Sequence, residues 1–148
     1  MKQAVACLAT ILMLGVGEAS AVTQCTQREA YAAEVVTDYL NSWGNVYLFF
    51  KQFGHCYDAS IAEGAEDKIQ LLWANHWSEV SQMIALTKKD PEFKAFLWTR
   101  ISDETFPQDR FAVFVHNAKT KCPSLATDFC SAVVKAASRP IIPPATVR

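Results

Sequence analysis

Apolar side chains recur along this chain at steps of three and four, the spacing that places them on one face of a helix. Ala32, Val36, Tyr39, Trp43, Val46, Phe50 and Phe53 form the first such stripe. Gly54 is positioned to end it, with Lys51 in the last turn at the negative end of the helix dipole. Gly44 falls inside the stripe and marks a kink or a close packing contact.

A second stripe runs through Ile69, Leu72, Trp73, Trp77, Val80, Met83 and Ile84. Ser60 and Glu63 are spaced as a capping box at its start, and Lys88 and Lys89 stand near its end. Asp90 followed by Pro91 predicts a restart, an N-cap acceptor before a ring already fixed at helical φ; Phe93, Phe96, Leu97 and Ile101 are its inward residues. Pro107 opens a fourth helix through Phe111, Phe114, Val115 and Ala118. Pro123 opens a fifth, with Leu125, Phe129, Val133 and Ala136 inward. No alternating pattern suggests paired strands. The expectation is an all-α, compact bundle of about five helices joined by short loops.

The two ends of the chain read differently from this middle. Lys2, the apolar run Ala4 to Val16 and the small-x-small site Ala19-Ser20-Ala21 have the form of a cleavable signal peptide over residues 1–21. The run is too short for a membrane span, and no second run approaches that length. A mature chain starting at Val22 holds roughly 127 residues, the size of one domain. The helical domain is expected over 22–138. The segment 139–148, with Pro140, Pro143 and Pro144, cannot continue the last helix and is expected to be extended or disordered.

Export changes how the cysteines are read. Removing Cys7 with the leader leaves Cys25, Cys56, Cys122 and Cys130, an even count that predicts two disulfides in an oxidising compartment, periplasmic or extracellular. A continuous first helix would hold Cys25 and Cys56 about 40 Å apart at about 1.5 Å per residue, unless it bends sharply back. Cys122 and Cys130, across the start of the last helix, would be roughly 12 Å apart, beyond a Cα limit of about 7 Å. Pairing Cys25 with Cys122 and Cys56 with Cys130 is therefore expected, with Cys56 to Cys122 as the swapped alternative.

The formal net charge of −1 argues against nucleic acid as a partner, since phosphate binding needs a concentrated basic face. It conceals an asymmetry, because acids outnumber bases ten to five between Tyr57 and Asp109, while six bases face Asp128 alone from Arg110 onward. Two halves of opposite sign are expected to pack together.

Candidate chemistry is sparse. No metalloprotease His pair, Gly-x-Ser-x-Gly elbow or phosphate-binding loop is present, and no catalytic residue, cofactor or metal site is assigned. His76 is expected in the core, His55 at a helix C-terminus and His116 on a polar face. Asp58, Glu63, Glu66 and Asp67 gather round a helix start, where the dipole favours carboxylates; their functional reading is an acidic docking edge or a weak calcium site. Trp98 falls at the edge of its apolar face, where a tryptophan can anchor a partner.

Cys56, Ser60-Ile61-Ala62-Glu63-Gly64, Asp90-Pro91-Glu92-Phe93, Cys122-Pro123 and Cys130 together resemble a group of exported bacterial proteins to which no activity is attached. The overall plan of leader, helical domain and disulfides is similar to that of the periplasmic immunity proteins that neutralise type VI secretion amidases. That likeness is one of plan, and no functional residue is carried over from it. The expected function is non-enzymatic binding of another exported protein, as an inhibitor or immunity factor. The alternative is a carrier holding a small apolar ligand among Trp43, Trp73 and Trp77; a hydrolase without a recognisable motif is the third reading.

Overall fold

A computed structural model describes residues 24–101 and 106–138; the expected leader at 1–21 and the tail from 139 lie outside the described residues. Among the described residues the chain is all helical, with seven α-helices where about five were expected. The two extra helices arise where long expected helices break.

The first break separates α1 (Gln27–Thr37) from α2 (Trp43–Phe53). Polar side chains between them satisfy backbone groups that a continuous helix would have bonded internally. Asn45 Nδ2 donates to the Tyr39 carbonyl at 3.0 Å, and Ser42 Oγ accepts from the Asn45 N–H at 3.3 Å as the new N-cap. Gly44 sits in the first turn of α2, where an added Cβ would come no nearer than 3.8 Å to its neighbours, so it marks neither the kink nor a close contact. Tyr39, expected inward, is left 65% exposed by the break. A 3-10 turn, Gly54–Cys56, follows α2.

The second break separates α3 (Ala59–Asn75) from α4 (Val80–Lys89) through a 3-10 turn at Trp77–Glu79. Its cause is tertiary. Trp77 turns into the core and its Nε1 donates to the Lys121 carbonyl at 2.8 Å, a contact a straight helix would not deliver. The N-cap of α3 is Asp58 rather than Ser60, its carboxylate accepting from the Ala59 N–H at 2.8 Å.

Asp90 caps α5 (Pro91–Trp98) as expected, accepting from the N–H groups of Glu92 and Phe93. Pro107 is the N-cap residue of α6 (Gln108–Thr120). After Pro123 a 3-10 turn, Ser124–Ala126, leads into α7 (Thr127–Ala137). That turn tips Leu125, expected inward, to 66% exposure.

In the bundle α1 packs on α3, α3 on α6, and α6 on α7, while α4 bridges α2 and α5. Trp73, fully buried, forms the centre of the core; its ring lies 4.9 Å from Phe114, 5.9 Å from Phe129 and 6.0 Å from Trp43. Its Nε1 donates to Met83 Sδ at 3.2 Å, whereas Trp43 Nε1 is buried without an acceptor.

The disulfides are Cys25–Cys56 and Cys122–Cys130, with Cα separations of 4.9 and 6.2 Å, so both expected pairings and the swapped alternative are wrong. Each error follows from a helix boundary. The reversal between α1 and α2 folds the chain back and returns Cys56 to the foot of α1. Because α7 begins at Thr127, Cys130 lies in its first turns and the non-helical stretch from Cys122 folds over to meet it.

Candidate functional site

The residues singled out for chemistry are dispersed, and most have structural partners. Asp58 is occupied as an N-cap. Glu66 accepts from the Tyr57 hydroxyl at 3.1 Å and lies 3.7 Å from Arg100 Nε. The Arg100 guanidinium is held between two rings, 3.6 Å from the Phe96 centroid and 4.1 Å from that of Tyr57; it also donates to the Phe96 carbonyl and to the Tyr57 hydroxyl. Burial, opposed by the Arg100 contact, pushes the Tyr57 hydroxyl well above its ordinary pKa. Asp67 pairs with Arg110 at 2.7 Å and joins α3 to α6. Glu63 is left exposed. Of the acidic stretch, Asp67 reaches a base of the C-terminal segment at Arg110, whereas Glu66 pairs with Arg100 inside the acidic segment itself.

The histidines are equally scattered. His76, expected in the core, stands exposed beyond the end of α3 with Nδ1 3.3 Å from Glu79, because the break after Asn75 swings it outward. His116 is exposed on α6. His55 Nε2 lies 3.5 Å from Glu29 of α1. Glu29 is held below the ordinary carboxylate pKa chiefly by the Thr26 side chain, then by the Thr26 backbone N–H. Glu29, His55 and Cys56 approach closely enough to share an ion, but the Cys56 sulfur is committed to its disulfide and is not a thiolate ligand.

Two surface features carry more than a structural role explains. The first is the outer face of α1 and α2. The residues of α1 buried against the bundle are Ala33 and Thr37, while Tyr31 and Val35, four apart and so on one side, point outward at 72% and 45% exposure, and Tyr39, just past the helix end, is 65% exposed. Leu48 of α2, 64% exposed, lines a shallow groove of about 210 Å³ with Tyr39, Val36, Leu40 and Phe49. The composition of α1 is inverted, small residues inside and large apolar ones outside. The sequence carried this signal in Tyr31 and Val35, which fall off the inward stripe, but off-stripe apolar residues are common and carry no weight singly.

The second is a groove of about 330 Å³ between α4, α5 and the start of α7. Its floor is Ile84, Ala126 and Phe129, all buried, and its walls include Trp98 and Leu125. Trp98 is half-buried against Phe129, 5.0 Å between ring centroids, and is a wall of the groove rather than a protruding anchor. Lys88, Lys94 and Asp128 stand on the rim.

Comparison with family models, with curated proteins and with solved structures gives no match to this chain. The fold and these surfaces define a small, helical, disulfide-bonded protein with apolar concavities among its described residues. None of its described helices is long and apolar enough to cross a membrane.

Proposed function

We propose that this is an exported, non-enzymatic protein that acts by binding another protein, and that the outer face of α1 and α2 is the contact. The observation that carries the reading is that Tyr31, Val35, Tyr39 and Leu48, four of the six large apolar side chains exposed among the described residues, all belong to the α1–α2 segment, with Tyr39 and Leu48 lining one groove. Scattered singly they would be ordinary; gathered on one hairpin they form the patch from which a protein interface is built. Tyrosine suits such a contact, since it offers a large rigid area with a polar end. Rigidity helps as well: the Cys25–Cys56 bridge clamps the foot of this hairpin and lowers the ordering cost of binding. Two disulfides in so short a chain support an oxidising compartment. Inhibition of an exported enzyme, as by an immunity protein, is the form of binding this reading favours.

A carrier built round Trp43, Trp73 and Trp77 is disfavoured by the packing of those rings, which fill the interior against Phe114 and Phe129. A histidine-based hydrolase finds no support in His76 or His116, both of which stand outside the two grooves.

The test compares the wild type with a Tyr39→Glu, Leu48→Glu double variant as bait in periplasmic extract, after circular dichroism shows that both are folded. The wild type should retain a defined protein that the variant loses. Retention of the same proteins by both, or of nothing by either, would overturn the assignment.

A further inference from the structure

We infer that the groove beside Trp98 is a binding site for a small organic acid with an apolar body, such as a medium-chain carboxylate. The inference is independent of the α1 and α2 contact, which lies on other helices.

The shape of the site comes from the 3-10 turn that precedes α7. The 3-10 turn Ser124–Ala126 holds Leu125 away from the core and leaves a concavity over Ile84 and Phe129. Its volume of about 330 Å³ reaches the lower end of the range of small-molecule sites. The surface of this concavity is apolar where it is deep: Ile84 and Phe129 are at most 5% exposed, and the Trp98 ring forms one wall. An apolar body would displace water there at a gain proportional to the area covered.

The rim decides the charge of the ligand. Lys88 and Lys94 both line the groove, and among the described residues neither has a carboxylate within ion-pair distance. Lys94, itself exposed, stands with its ammonium over the Trp98 ring, 5.2 Å from the centroid, at the edge of the apolar wall. Asp128 is the opposing charge on the rim, in the first turn of α7, where the helix dipole favours a carboxylate. Two unpaired ammonium groups against one such carboxylate leave the mouth net positive. A ligand carrying one carboxylate on an apolar chain meets both requirements, whereas a neutral or cationic amphiphile leaves the lysines without a partner.

Titration of the disulfide-bonded protein with decanoate, followed by 1H–15N correlation spectra, tests the inference; decanol serves as the uncharged control. Decanoate should shift resonances of residues 84–98 and 125–129 saturably. A Lys88→Gln, Lys94→Gln variant should bind decanoate about tenfold more weakly, as loss of two partly exposed charged contacts implies, with decanol little changed. Leu125→Glu, at an exposed position that leaves the core intact, should weaken both ligands. The inference fails if decanoate produces no saturable shifts there, or if the lysine variant binds it as the wild type does. A peptide pairing an apolar residue with carboxylates that moves these resonances when decanoate does not would also overturn it, and would give the groove to a protein partner.

Discussion

Lys51 Nζ of α2 lies 3.0 Å from Asp90 Oδ2, the carboxylate that also caps α5 and accepts from the Tyr47 hydroxyl at 3.2 Å. One residue therefore ends α4 through its backbone N–H to the Leu86 carbonyl, while its side chain starts α5 and fastens that helix start to α2. Asp90→Ala should lower the melting temperature by more than Asp90→Asn, because asparagine keeps an N-cap acceptor and loses the charge. Lys51→Met should fall short of either, since it leaves the cap in place. Thermal denaturation of the three variants checks the order.

The same groups set the pH range of stability. Asp90 is held below its ordinary pKa of 3.8, first by the Lys51 hydrogen bond and then by the Phe93 N–H, and Glu29 below 4.5 by Thr26. Depressed carboxylate values mean that their contribution is present above the unfolded pKa and is lost as pH falls through the folded one. Lys51 is raised above 10.5, chiefly by its hydrogen bond to Asp90, and Tyr57 above 10.0 by burial. Their contributions are present below the unfolded values and are lost as pH rises toward the folded ones. Stability measured by urea denaturation should be level from about pH 5 to about pH 10 and decline on both sides. Asp90→Asn should flatten part of the acid limb.

Gly64 marks the closest approach of α1 and α3. A Cβ there would lie 2.9 Å from Thr37 Oγ1 and 3.2 Å from Thr37 Cβ, and Thr37 is buried with its hydroxyl bonded to the Glu34 carbonyl at 2.7 Å. Alanine is the better helix former by about 1 kcal/mol, so an open site would gain from the change. Here the clash should win, and Gly64→Ala should destabilise by about 1 to 3 kcal/mol. Adding Thr37→Ala should recover most of that loss, a non-additivity that a double-mutant cycle would read.

The two disulfides differ in what they close. Peptide mapping without reduction should find Cys25 with Cys56 and Cys122 with Cys130. Bridges spanning 31 and 8 residues limit the unfolded chain by about 3.5 and about 2.5 kcal/mol in the chain-entropy account. Cys25→Ser with Cys56→Ser should therefore cost more than the corresponding pair at 122 and 130. Equal losses would mean that strain or residual unfolded structure dominates.

Arg100 is placed for its planar shape as much as for its charge. Lysine cannot stack between Phe96 and Tyr57 while reaching Glu66, so Arg100→Lys should lose about 2 kcal/mol despite keeping the charge. A variant as stable as the wild type would show the ring contacts to be incidental.

The helical class was legible from the apolar spacing, and so were the Asp90-Pro91 restart and the helix start at Pro107, because these are local choices of cap and φ made by adjacent residues. The break at Ser42 was also local, written in Ser42 and Asn45, but the apolar stripe ran across it without a fault and concealed it. His76 and Trp77 show the opposite case. The turn there depends on the Lys121 carbonyl, 44 residues away in sequence, and no pattern around Trp77 encodes that acceptor.

Sequence by itself determined that the chain is helical, that Cys25, Cys56, Cys122 and Cys130 form two bridges, and that its halves carry opposite charge. Tertiary structure alone decided which cysteines meet, where the acids find their bases, and which apolar residues are left outside. The physical reason is that composition and period act within a few residues, whereas pairing and exposure depend on helix ends. A shift of one residue turns a side chain about 100° round the helix and so from one face to another. Cys56 met Cys25, and Tyr39 and Leu48 came to line one groove, because the chain reverses between Thr37 and Trp43.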